Sequence, residues 1–284
     1  MICHGPTALQ EALGHASAAL PEQDTAVLEA QLLLCEALAV SRSHLYAYPE
    51  RLLNAAELAR FEALCVRRAG GEPIAYILGR REFWNQTLAV APGVLIPRPE
   101  TELLVELALA LGQDLNGPVV DLGTGSGAIA LALAAARPDW TVIAIEREAA
   151  ARELAARNFQ QAALRNLSLR AGSWYAPLNE RDCALLVANP PYLAADDPHL
   201  QQGDLRFEPA SALVAAEAGL ADLRHLAQHA PDYLRPGGWL LLEHGWQQGA
   251  AVREALTAAG LTQVQTRVDT AGRDRVTLGC RECG

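Results

Sequence analysis

The stretch Val119-Val120-Asp121-Leu122-Gly123-Thr124-Gly125-Ser126-Gly127-Ala128 reads as a short apolar strand that breaks on glycines and restarts as a helix. That helix is predicted over residues 128–136, and the same rhythm continues outward from it. Residues 141–145 form the next strand, ending in Glu146, and a helix runs from there through Arg157. Leu167-Ser168-Leu169 and Leu185-Leu186-Val187-Ala188 are further strands. A helix over 219–234, a strand over 239–242 and a helix over 250–259 complete the alternation. Residues 264–268 and 275–278 then look like a closing hairpin. Strands alternating with helices in this way predict an α/β fold with a doubly wound sheet. Ligands of such sheets bind at the C-terminal edge of the strands, where the strand order reverses.

Several side chains fall at that edge. The glycine loop leaves backbone N–H groups facing a ligand at a helix N-terminus. Glu146 ends the second strand of the run, where a carboxylate can accept from both hydroxyls of a ribose. Nicotinamide dinucleotides and S-adenosylmethionine share that requirement. Asp121, just before the glycines, suits a cationic amino-acid ligand and favours the second. The apolar strand at 185–188 is stopped by Asn189-Pro190-Pro191-Tyr192. Each proline fixes φ and lacks an N–H, so the chain turns a stiff corner carrying a carboxamide and a phenol. Such a corner suits a flat group bearing –NH₂: the Asn189 oxygen and a freed backbone carbonyl accept its hydrogens, and the Tyr192 ring covers its face.

Composition narrows the function classes. The 284 residues carry a formal net charge of −10, which argues against a long phosphate-gripping footprint. All 23 basic residues are arginine, so a Schiff-base lysine, a pyridoxal anchor and a P-loop lysine are excluded. Cys280-x-x-Cys283 stands without a second pair, and no metal is expected there. Met1 to Pro6 has no basic region followed by an apolar run, and no apolar run reaches membrane-span length. The expectation is a soluble cytoplasmic protein without a membrane partner.

The first seventy residues are predicted helical. A helix over 7–20 precedes Pro21, and Asp24 is read as the cap of a second, with Leu28, Leu32, Cys35 and Ala39 as its buried stripe. Asn54-Ala55-Ala56-Glu57 has capping-box spacing and opens a helix presenting Leu58, Phe61 and Cys65, which Gly70-Gly71 ends. Arg67-Arg68 is read as a surface pair. From 74 onward the pattern looks β-like: Ala75-Tyr76-Ile77-Leu78, then Phe83-Trp84 and Leu88-Ala89-Val90 with Asn85-Gln86 turning a hairpin. Pro99 suits the first position of a helix. The expected organisation is a helical, substrate-binding domain over 1–73, a β-hairpin and helix connector over 74–115, and a cofactor domain over 116–284. His225 and His229 have zinc-site spacing, but Leu226 stands where a metalloprotease needs glutamate, so an exposed helix face is expected.

With these segments in place, the chain resembles the HemK/PrmC family of peptide-chain release factor glutamine methyltransferases. The resemblance rests on Gly71-Glu-Pro73, Tyr76-Ile-Leu-Gly79, Phe83-Trp84, Leu95-Ile-Pro-Arg-Pro-Glu-Thr-Glu102, the 121–127 loop, Asn189-Pro-Pro-Tyr192, Phe207-Glu-Pro209 and Leu242-Glu-His-Gly245. It implies a class I methyltransferase fold, with a Rossmann-like, seven-stranded sheet, and S-adenosyl-L-methionine as cofactor. Gly123, Thr124, Gly125, Ser126, Gly127, Glu146, Trp174 and Asn189 would contact it, with Asp121 beside them. Asn189, Pro190, Pro191 and Tyr192 would hold the substrate, with Asn189, Pro190 and Tyr192 at the chemistry. The implied substrate is the glutamine of a Gly-Gly-Gln motif in class 1 release factors. Alternatives are the paralogous enzyme acting on a ribosomal-protein glutamine and a nucleic-acid adenine-amine methylase. The Phe207-Glu-Pro209 context speaks against the first; the acidic balance and the lack of a target-recognition domain speak against the second. Ser173 departs from the family, which often has an acidic residue there.

Overall fold

A computed structural model describes residues 7–21 and 24–283. Cys3 and the rest of the 1–6 segment lie outside the described residues. The chain divides into two compact units, one of 1–79 with 201–207 and one of 80–200 with 208–284.

The first unit is helical: α1 (Leu9–Ala19), α2 (Ala26–Leu38), α3 (Arg42–Ala47), α4 (Ala55–Ala69) and α5 (Ile74–Leu78). The capping box forms: Asn54 Oδ1 accepts from Glu57 N at 2.9 Å, and Glu57 accepts from Asn54 N at 3.0 Å. Four readings of this region are corrected. Thr25, not Asp24, is the N-cap residue of α2. The buried face of α2 is Ala26, Ala30, Leu33, Leu34 and Ala37, whereas Leu28 is 42% exposed. The reason is a buried ion pair on that face. Arg68, from α4, grips both Glu29 oxygens at 2.7 and 3.0 Å, and its remaining nitrogen reaches Asp204 Oδ1 at 3.3 Å. Arg68 is therefore no surface residue. Its neighbour Arg67 forms an exposed pair with Glu72. The 75–78 segment is one turn of helix rather than a strand. The Pro73 carbonyl accepts from the N–H of both Tyr76 and Ile77, and Gly79, in the left-handed region, ends the turn.

The second unit opens with an antiparallel hairpin, β1 (Arg80–Phe83) and β2 (Gln86–Ala89). Its turn is Trp84-Asn85, not Asn85-Gln86, and both residues have positive φ (46° and 59°), as the twist of a two-residue hairpin demands. Asn158, on a helix later in the chain, pins β2 by bonding both the N–H and the carbonyl of Ala89. Pro99 opens a short 3₁₀ turn, Pro99–Thr101, that runs into α6 (Glu102–Leu111).

The rest is a seven-stranded sheet in the order β5-β4-β3-β6-β7-β9-β8. Its strands are β3 (Val119–Leu122), β4 (Val142–Glu146), β5 (Leu167–Ala171), β6 (Cys183–Ala188), β7 (Leu234–Glu243), β8 (Thr262–Val268) and β9 (Asp274–Cys280). All are parallel except β9, which runs against both β7 and β8. Leu234 belongs to β7, so the helix expected over 219–234 is shorter, Ala221–His229, followed by a 3₁₀ turn. Pro231 marks that stop.

The central strands β3, β4 and β6 are buried on both faces, as a sandwiched parallel sheet requires, whereas the edge strands β5 and β8 are only partly covered. One face packs on α6, α7 (Ala128–Ala136) and Phe159 of α8 (Ala149–Ala162), together with Phe83 and Leu88 of the hairpin. The other packs on helices Ala221–His229 and Gly249–Ala258. Burying about 25 cal/mol per Å² of apolar surface on two faces is what holds so continuous a sheet together. The strand order reverses on either side of β3, so the C-terminal ends of β3, β4 and β6 border one crevice. Among the described residues, no helix is long and apolar enough to cross a membrane.

Candidate active site

A cleft opens at that crevice. Gly123 and Gly125 from the loop after β3, Glu146 at the end of β4, Trp174, and Asn189 with Pro191 after β6 line it. Val94, Ala151 and Pro209 add apolar wall. The loop is held from below. Gly123 N and Thr124 N both donate to Ile145 O at 2.9 Å, and Asn158 Nδ2 donates to Ser126 O at 2.8 Å. Gly125 has φ of +59°, and a Cβ there would meet nothing within 4 Å, so its missing side chain leaves open space on the cleft side. Gly127 differs: its φ is +89° and a Cβ would run into the Phe159 ring. Gly125 serves the cleft and Gly127 serves helix packing.

Glu146 is buried, and each carboxylate oxygen accepts a backbone N–H at 2.8 Å, Oε2 from Gly125 and Oε1 from Glu148. Each keeps a lone pair for a further donor. Asp121 lies beneath the loop, fully buried and not among the cleft-lining residues. Its Oδ2 accepts from Thr124 Oγ1 at 2.5 Å and Ala130 N at 3.1 Å, while Oδ1 has no protein partner. Burial pushes its pKa up to about 7.

Thr124, Ser126, Gly127, Pro190 and Tyr192 also stand behind the lining rather than in it. Pro190 is buried and half-buried Tyr192 packs against the helix side of the sheet. The Tyr192 carbonyl is held by Gln248 Nε2 at 2.9 Å, which fixes the corner after β6. Burial raises the Tyr192 phenol above its ordinary value. Asn189 is oriented from one side: its Nδ2 donates to Thr101 Oγ1 at 3.2 Å.

Other features sit at the rim. Arg98 Nη2 donates to both oxygens of Glu208 at 2.7 Å, joining the 95–102 connector to the segment before Pro209. Ser173 lines the cleft beside Trp174. Gly93, Val94, Arg147, Glu148, Ala151 and Ser211 line it too, and no motif marked them in the sequence. The only available signal was nearness in sequence to residues that were marked. His229 is half-buried rather than exposed, packing with His225 and Tyr233 around the Tyr175 ring. No group of three His, Cys, Asp or Glu that could hold a metal occurs among the described residues.

Comparison with known proteins adds to this geometry. The PrmC N-terminal domain family matches residues 11–79, and the Methyltransferase small domain family matches residues 99–216. The chain is 52% identical to the release factor glutamine methyltransferase of Vibrio cholerae, over 90% of each chain. It is 51% identical to that of Pseudomonas aeruginosa, over 93% of this chain and 96% of the other. It is 48% identical to that of Escherichia coli, over 88% and 91%. Among solved structures, the hMettl16 catalytic domain in complex with MAT2A 3′UTR hairpin 6 superposes with a TM-score of 0.56 at 16% identity, covering 83% of this chain and 85% of that one. At that identity the likeness shows the fold alone. The sheet is that of a class I methyltransferase, and the chain belongs to the family of release factor glutamine methyltransferases.

Proposed function

We propose that this chain transfers a methyl group from S-adenosyl-L-methionine to the side-chain amide nitrogen of a glutamine in class 1 peptide-chain release factors. The observation that carries the reading is the convergence of Gly125, Glu146 and Asn189-Pro-Pro191 on one cleft. The residues fit the cofactor. The space at Gly125 admits close approach, Glu146 keeps lone pairs for ribose hydroxyls, and Trp174, Val94, Ala151 and Pro209 offer apolar cover for a purine. Asp121, Thr124, Ser126 and Gly127 shape the loop from beneath. When bound, S-adenosylmethionine supplies a methyl group on a positively charged sulfur.

The chain's task is to make an amide nitrogen nucleophilic and aim it. An amide lone pair is delocalised into its carbonyl, so attack requires the nitrogen to become pyramidal. Asn189 Oδ1 accepts one hydrogen of the target –NH₂ and the Pro190 carbonyl accepts the other. Both bonds strengthen as the attacking nitrogen becomes pyramidal and takes on positive charge, which is differential stabilisation of the transition state. The nitrogen then releases one proton to give the neutral N-methyl amide. The stiff Pro190-Pro191 corner holds these acceptors so that nitrogen and methyl carbon meet in line at about 3–3.5 Å. The first unit carries no catalytic constellation and exposes Tyr46, Tyr48, Leu52 and Val66, which supports a role in gripping the protein substrate. Incubation with tritiated S-adenosylmethionine and, side by side, release factors, the ribosomal protein and DNA tests the reading. Label should enter the release factors; label confined to either alternative would overturn it.

A further inference from the structure

Asn189 does not stand alone at the end of β6. Ala188 pairs with Leu242 across the sheet, so the next residues, Asn189 and Glu243, leave β6 and β7 side by side. Glu243 is 1% exposed. A buried carboxylate is costly unless its oxygens are engaged, and its Oε2 has no protein partner. The Thr101 hydroxyl, at the end of the 3₁₀ turn that Pro99 opens, faces this carboxylate and favours its charged form. Thr101 in turn accepts from Asn189 Nδ2 at 3.2 Å.

The direction of this chain follows from donor chemistry. In its ionised form Glu243 only accepts, so the Thr101 hydroxyl then directs its single hydrogen to that carboxylate. Its oxygen is then left only as an acceptor, and the group it faces on Asn189 must be the –NH₂. Asn189 Oδ1 is thereby turned away, and no donor among the described residues engages it. We infer that Thr101 and Glu243 are positioning residues that fix the Asn189 carboxamide with its oxygen presented as an acceptor to the target amide. The inference rests on the reading of Asn189 as the group that holds the substrate –NH₂. Without the hydroxyl, nothing distinguishes the two faces of the carboxamide, and a flipped Asn189 would meet the substrate –NH₂ with its own donor. Tyr192, Arg275, Arg98 and Glu100 also face Glu243, and all four remain in place in the variants below.

The test uses the full-length chain, ¹⁵N-labelled, with S-adenosylmethionine and intact release factor. Thr101→Val keeps the shape and removes the hydroxyl; Thr101→Ala repeats the deletion should valine fail to fold. Each is expected to lower kcat roughly ten- to a hundredfold, the scale of a misaligned reacting group. KM for release factor and the Kd for S-adenosylmethionine should move less than about twofold, and Thr101→Ser should recover most of kcat. The Asn189 side-chain amide protons should exchange with solvent more slowly in the parent and Thr101→Ser than in Thr101→Val. A folded Thr101→Val with parental kcat, or a serine variant as impaired as valine, would overturn the inference. So would side-chain exchange equally fast in parent and Thr101→Val. Inactivity of the parent chain on release factor would instead refute the proposed function, and the exchange comparison would still decide the positioning.

Discussion

Gly125→Ala separates cofactor recognition from folding. Gly125 sits at φ +59° with no atom within 4 Å of an added Cβ, so the only folding cost is the left-handed backbone of a non-glycine residue. That is about 1–2 kcal/mol, or a fall in Tm of about 2–8 °C. The added methyl projects into the space that a ligand must approach closely. Forcing one extra carbon into a packed contact costs about 1–3 kcal/mol, a rise in Kd of roughly 5- to 150-fold. Valine adds two branches and a β-branched residue at positive φ, and should abolish binding. Titration calorimetry with S-adenosylmethionine reads the affinity, and thermal unfolding of the free chain reads the fold. Gly127→Ala is the control with the opposite balance: its Cβ meets the Phe159 ring, so it should lose more stability than Gly125→Ala. A folded Gly125→Val that binds S-adenosylmethionine like the parent would refute the assignment of this cleft.

Asn189→Ala should lower kcat by about 10²–10³, the scale of losing one oriented group at a transition state, with release-factor affinity little changed. Asn189→Asp keeps an acceptor oxygen and should retain partial activity, so equal loss in both variants would move the weight to the carboxamide donor. Arg68→Met strands the Glu29 carboxylate in the helical unit and should cost about 3–5 kcal/mol in urea unfolding, most of it recovered by adding Glu29→Leu; a neutral single variant would contradict the buried pairing. Burial holds Glu243 at about 7, well above its range in an unfolded chain. Between those values the folded chain binds the extra proton, so this group's contribution to stability falls as pH rises through about 7. The loss of stability between about pH 6 and pH 8 should therefore be smaller in Glu243→Gln than in the parent. An identical pH dependence would show that Glu243 does not titrate there.

How far the sequence could be read depended on whether the relevant signal was local. The 119–136 stretch is legible because a strand, a glycine break and a helix follow one another with a change of period inside a few residues. The Asn189-Pro-Pro corner is legible because proline restricts the backbone wherever it stands. The phase of α2 was not, because leucine and alanine surround most of that helix. What selects its buried face is an ion pair between Glu29 and Arg68, 39 residues apart. The 75–78 run is too short to carry a period, and its aromatic and β-branched content misleads until Pro73 is seen to cap a helical turn. Tyr192 was read as covering the substrate from its nearness in sequence to Asn189. In the structure Tyr192 packs on the core layer between the sheet and the helices over 221–229 and 249–258 and does not line the cleft, while its phenol faces Glu243, Arg275, Arg98 and Glu100. Thr101 and Glu243 stand inside quoted motifs, but their link to Asn189 exists only once the Pro99 turn, β6 and β7 come together in the fold.

On the proposed reading, the nitrogen accepting the methyl group is that of a glutamine side chain in a release factor. Peptide mapping by mass spectrometry after reaction of the intact enzyme, isotopically labelled S-adenosylmethionine and a class 1 release factor addresses it directly. One labelled methyl group is expected on a single glutamine-bearing peptide, with fragmentation placing it on the side-chain amide, and it should be absent when Asn189 is alanine. A methyl group on any other residue type, or an unlabelled release factor beside a labelled ribosomal protein or DNA, would contradict it.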